Sequence, residues 1–186
     1  MLNFFLYFLI SIIIMININS TYDLISLYTH YIALDTVYKG ISGKLLYPIG
    51  LVITLLIEGF LKTMTTNSSF IPFKRPNGAC DCDLFNSGGL VDHKSGFPSG
   101  HVASTSFYMT LLYYDSIEES LFKQNNNLKL LIYHIPSILM GIARYEKKCH
   151  NILQIICGML LGFYVATILH KNKLHINYKI RKTINK

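Results

Sequence analysis

The 186-residue chain is 51% hydrophobic, only 15% charged, and carries a formal net charge of +7. The charged share is well under that of an ordinary soluble domain, and the apolar residues come in long blocks with the charges gathered between them. Its basic residues are not interleaved along a polar surface, which argues against nucleic acid as a partner, and four cysteines are too few for a disulfide-built scaffold of this length.

MLNFFLYFLISIIIMINI (1–18) is an apolar run about long enough to cross a hydrocarbon core. It lacks the basic start and small-residue cleavage site of a signal peptide, so a retained first span is expected. LISLYTHYIALDTVY (24–38) is weaker, interrupted by His30 and Asp35 and rich in tyrosine. It reads as a helix buried among others or lying at the membrane interface. LLYPIGLVITLLIEGFLK (45–62) is a clear span with Pro48 near its start and Lys62 at its end. From 63 to 98 the hydropathy falls, and Gly, Pro, Asn, Ser and charges mark an extramembrane loop.

VASTSFYMTLLYY (102–114) resumes the apolar pattern and is closed by the acidic DSIEES and the soft NNN. LKLLIYHIPSILMGIARY (128–145) and NILQIICGMLLGFYVATILH (151–170) follow as two more spans. The expected fold is therefore all-α, a single membrane-embedded domain over 1–186 with about six transmembrane helices, or five if 24–38 does not cross. The tail KNKLHINYKIRKTINK (171–186) is basic without an acid and is placed in the cytoplasm by the positive-inside bias. Six spans then put the long loop and the ARYEKKCH junction (143–150) together on the opposite, extracytoplasmic or lumenal side. Both are basic against that bias, and a bound anion would explain it.

Three stretches in that layer carry chemistry: FKRPNG (73–78), GFPSGH (96–101) and ARYEKKCHNILQ (143–154). In GFPSGH, Pro98 and Gly100 flank Ser99 just before a helical segment, leaving backbone N–H groups and a hydroxyl for an anion. Read singly, each residue has a plainer role: Ser99 as a helix N-cap, Arg75 as a solvated loop charge, His150 as a hydrogen-bonded interface residue.

The combination resembles the type 2 phosphatidic acid phosphatase superfamily, membrane-bound branch. That superfamily also holds lipid diphosphate phosphatases, glucose-6-phosphatase-like enzymes and vanadium haloperoxidases, the last being soluble and much larger. The motif match runs from Lys62 to Gln154. The resemblance implies a metal-independent phosphatase without cofactor, acting on a lipid phosphate or polyprenyl diphosphate. His150 would attack phosphorus and form a phosphohistidine, and His101 would protonate the leaving oxygen. Arg75, Arg144, Ser99, Gly100 and Lys62 would bind the phosphoryl oxygens.

The chain departs from the family pattern in three places. Ser68 stands where the family has a lysine; Lys62, at the end of its span, is the preferred replacement and Lys74 the rival. Ala143 stands where serine is common. Gln154 stands where the family has aspartate, one helical turn after His150, so its side chain faces the ring. The amide carbonyl can accept from Nδ1–H and fix the tautomer but supplies no negative charge. Glu146, Asp81, Asp83 and Asp92 are the acids that could replace it. The departure also supports a second reading: a catalytically silent relative that binds lipid phosphate or scaffolds a membrane assembly. Cys80 or Cys82 could bridge to Cys149 and tie the two loops, whereas a zinc site from Cys80, Cys82 and His93 has poor ligand spacing.

Overall fold

The computed structural model describes residues 20–118 and 126–184, the side chains of 126 and 174–184 excepted, so the expected span over 1–18 lies outside it. Six α-helices make up the described fold: α1 Thr21–Ser26, α2 Tyr28–Ile41, α3 Leu46–Thr65, α4 Gly100–Glu118, α5 Asn126–Glu146 and α6 Ile152–Ile184. A single 3-10 turn spans Ile71–Phe73, and the described residues form isolated bridges but no strand.

Among the described residues two segments are long and apolar enough to cross a membrane, α3 (Leu46–Thr65) and the first part of α6 (Ile152–Lys173). The weak segment 24–38 is broken at Leu27 into α1 and α2. At 14 residues α2 is about 21 Å long, short of the roughly 30 Å of a hydrocarbon core.

α4 is the hub. From Val102 to Leu111 every side chain is buried, and the helix packs on α2, α3, α5 and α6. Its small and hydroxylated residues serve close packing. Gly158 and Gly162 lie one turn apart on α6 and let its backbone settle on α4. A Cβ at Gly158 would come within 2.6 Å of the Ser99 carbonyl oxygen, and one at Gly162 would overlap that of Ala103. Between them Ser106 donates to the Met159 carbonyl at 2.8 Å. Ile32, Tyr47, Phe107, Tyr108 and Val165 fill the core around this crossing.

Outward faces of α3, α5 and α6 stay apolar, with Leu56, Phe60, Ile132, Ile156 and Leu160 at least half exposed. Contiguous apolar exteriors of this kind call for a nonaqueous surround, consistent with membrane association. The consequence for the site is positional: the 66–99 loop and the 147–151 loop meet over the same end of α3, α4 and α6.

Candidate functional site

The Arg-Pro loop and the stretch before Ser99 are stitched to each other. Arg75 N–H donates to the Lys94 carbonyl and Gly96 N–H to that of Phe73, both at 2.9 Å. The first turn of α6 closes on this pair. Asn151 stands at its N-cap, its Oδ1 accepting from the Gln154 N–H at 3.0 Å. The Asn151 amide also donates to the Pro72 carbonyl at 2.8 Å, pulling α6 onto the loop.

Gln154 occupies the centre of the assembly and is fully buried. Its Nε2 donates to the Pro72 carbonyl at 3.0 Å and the Lys74 carbonyl at 2.8 Å. Two carbonyls on one side fix the amide orientation, so Oε1 must face His150, where it lies 2.9 Å from Nδ1. The proton on that ring therefore sits at Nδ1, and Nε2 presents its lone pair to the cavity. No carboxylate is involved; the acids expected as substitutes do not occupy the Nδ1 position. Asp83, for example, is turned to its own loop, accepting from Ser87 and from the Phe85 N–H.

His150 is buried and has a pKa well below the ordinary imidazole value. Loss of solvent is the main cause, followed by the charges of Arg75, Arg144 and Lys62, with the Gln154 hydrogen bond opposing. The ring is accordingly neutral at physiological pH, the form in which Nε2 can act as a nucleophile.

Two arginines flank this ring, Arg75 from the Arg-Pro loop and Arg144 from the last turn of α5. Arg75 Nη1 lies 3.4 Å from His150 Nε2 and donates to the Cys149 carbonyl at 2.8 Å. Burial lowers the Arg75 pKa and Glu58 opposes that shift. Arg144 is wholly buried, with Nη2 donating to the Cys82 carbonyl at 2.6 Å. A disulfide joins Cys82 to Cys149, while Cys80 and Cys157 carry free thiols. Cys82 is thereby removed from any zinc set. Each arginine thus rests on the carbonyl of one half-cystine.

A cavity of about 390 Å³ opens below His150. Its polar end is lined by Lys62, Arg75, His101 and His150, and its apolar wall by Ile32, Ala33, Leu51 and Leu55. Lys74 does not line it, its Nζ donating instead to the Thr66 carbonyl at 2.6 Å. Ser99 directly precedes α4, yet its hydroxyl makes no capping bond. Ser99 Oγ, His101 Nε2 and Arg144 Nε are all buried without a protein partner among the described residues. Buried polar atoms are normally satisfied. Of the three residues His101 lines the cavity, Ser99 precedes the lining residue Gly100, and Arg144 donates to the carbonyl of the lining residue Cys82, so the orphaned atoms border a site suited to a multi-oxygen anion.

Sequence reasoning did not pick out Asn151, Glu58 or Gly96. Asn151 was legible as an N-cap residue before an apolar run, whereas the other two depend on the fold. A Cβ at Gly96 would come within 2.6 Å of Gln154 Oε1 and 2.9 Å of Arg75 Cγ. Gly96→Ala is expected to cost roughly ten- to a hundredfold in kcat/KM on a phosphate ester, because it displaces a clamped amide and a cavity-lining arginine together. An unchanged helical circular dichroism spectrum would localise the effect, and unchanged turnover would show that the clamp tolerates movement.

Fold and site together define a helical protein built around a cavity lined by histidines, an arginine and a lysine. The sequence profile of the PAP2 superfamily matches residues 43–176, and the chain belongs to that superfamily, whose members generally hydrolyse phosphate esters. No curated protein and no solved structure matches the chain.

Proposed function

We propose that the chain is a multi-pass membrane phosphatase that hydrolyses a lipid phosphate without a metal, through a phosphohistidine at His150. The observation that carries this reading is the cavity itself. Its polar end groups a neutral, tautomer-fixed histidine with Arg75, Lys62 and the orphaned His101 Nε2, and one wall, of Ile32, Ala33, Leu51 and Leu55, is hydrocarbon. An anionic head on an apolar tail matches both halves.

In the proposed reaction Nε2 of His150 forms a bond to phosphorus as the bond to the leaving oxygen breaks. His101, protonated beside the bound phosphate dianion, gives that oxygen its proton and is left neutral. Water then attacks phosphorus as the bond to Nε2 breaks, His101 takes up the water proton, and inorganic phosphate leaves. Arg75, Arg144 and Lys62 balance charge on the equatorial oxygens, and Ser99 Oγ with the Gly100 N–H adds neutral donors. The disulfide supports an oxidising compartment for this end of the bundle, hence catalytic loops on the extracytoplasmic or lumenal side and the 171–186 tail in the cytoplasm.

The test is phosphate release from a lipid phosphate by detergent-purified protein in EDTA, with acid-labile phosphoprotein trapped by rapid base quench. Release and label above the level of His150→Ala are expected. Equal release from the two proteins would leave a silent phosphate-binding relative.

A further inference from the structure

One side chain in the cavity is not required by phosphate binding. Glu58 lies on α3 one turn before Lys62, is mostly buried, and pairs with the Lys62 ammonium. Its carboxylate points at the first turn of α4: a Cβ built on Gly100 would lie 2.8 Å from Oε1 and 3.1 Å from Cδ. It therefore stands against the residue before His101, and both Glu58 and His101 line the cavity. The same face of α3 continues into the apolar wall through Leu55 and Leu51. Along that helix the cavity meets first a cation, then an anion, then hydrocarbon.

The charge balance follows from this order. Lys62, Arg75 and Arg144 bring three positive charges, and Glu58 and Asp83, which both line the cavity, two negative, a net of one (3 − 2). Asp23 is paired with Lys147 and does not alter that sum. A phosphate monoester carries about two negative charges at neutral pH and already offsets the site's positive charge. A diphosphate adds a further charged phosphoryl group. A substrate with its terminal phosphorus at His150 Nε2 and its bridging oxygen at His101 would direct its next group along the cavity toward Glu58. In a monophosphate that group is carbon; in a diphosphate it is the second phosphoryl.

Resting on the phosphatase reading, we propose that Glu58 is a specificity-determining residue that admits lipid monophosphates and rejects diphosphates. Like charges within about 5 Å at a partly buried site change affinity by roughly one to two orders of magnitude, the Lys62 charge reducing the effect.

The test compares full-length wild type and Glu58→Gln in detergent, by turnover and by binding. In turnover, wild type is expected to favour lysophosphatidic acid over farnesyl diphosphate in kcat/KM. Glu58→Gln should narrow that ratio about tenfold or more. In calorimetric binding, inorganic pyrophosphate should gain about tenfold or more in Glu58→Gln, while inorganic phosphate changes much less. Glu58→Asp, which keeps the charge, should retain the wild-type preference.

If both ligands respond alike to Glu58→Gln, Glu58 is only an anchor for Lys62 and the proposal falls. A wild type that binds pyrophosphate more tightly than phosphate overturns it without any variant. Should wild type show no turnover while pyrophosphate still gains in Glu58→Gln, the phosphatase reading fails and the charge discrimination stands.

Discussion

Gln154→Glu is expected to lower kcat/KM on a lipid phosphate by about a hundredfold or more, although it installs a carboxylate beside His150. A carboxylate accepting from Nδ1–H would stabilise positive charge on the ring, and on that ground alone activity should rise. The geometry reverses the expectation. Gln154 Nε2 holds the Pro72 and Lys74 carbonyls at 3.0 and 2.8 Å, and Lys74 adjoins Arg75. Glutamate would replace that donor by an oxygen facing two carbonyl oxygens. Two hydrogen bonds are lost and two buried acceptors are left against a negative charge, together about 3 kcal/mol or more. At 1.36 kcal/mol per decade that is roughly two orders of magnitude.

Gln154→Asp should behave similarly, because the shorter carboxylate also removes the donor. Steady-state kinetics on the purified variants decides the point. Activity equal to or above wild type in either variant would show that the amide orients only the histidine and that the loop holds itself.

The second large effect concerns the disulfide. Cys82 and Cys149 are 67 residues apart in sequence, and their carbonyls are the acceptors for Arg144 and Arg75. Closing a loop of that length stabilises the folded state by about 4 kcal/mol in the chain-entropy picture. Reduction, or the double variant Cys82→Ser with Cys149→Ser, should lower the thermal midpoint and free both arginines from fixed positions. The kinetic signature is a KM raised about tenfold or more, reflecting lost phosphate positioning, with a smaller change in kcat.

Thiol labelling provides the control. Cys80 is exposed and should label without reductant at mildly alkaline pH, since its hydrogen bond to Asp81 raises the thiol pKa. Cys82 and Cys149 should label only after reduction. Labelling of all three without reductant, or kinetics indifferent to reductant, would sink this account.

Much of the protein was legible in its residues because the relevant signals are local. Hydropathy blocks gave the helices at 45–62, 102–114, 128–145 and 151–170 within a few residues, since helix formation in apolar runs depends on near neighbours. The four-residue spacing of His150 and Gln154 was enough to put amide and ring together, because one helical turn fixes that distance. Lys62 and Lys74 were both open from sequence, since loop length does not say where a side chain ends. Only the fold sends Lys62 into the cavity and Lys74 to Thr66.

By itself the sequence determined an all-helical chain with apolar spans, a phosphate-suited set of Arg, Ser and His, and an amide where an acid was expected. Tertiary structure decided what that amide does. Pro72 and Lys74 lie about eighty residues from Gln154, and no local rule brings them to it. Packing of α6 on α4 through Gly158 and Gly162, with Asn151 bonded to the Pro72 carbonyl, does so, and it turns Gln154 from a neutral substitute into the clamp between His150 and the arginine loop. Packing of α3 on α4 in turn places Glu58 opposite Gly100. Long-range contacts of this kind are set by how helices fit together, and that fit is not written in any one segment.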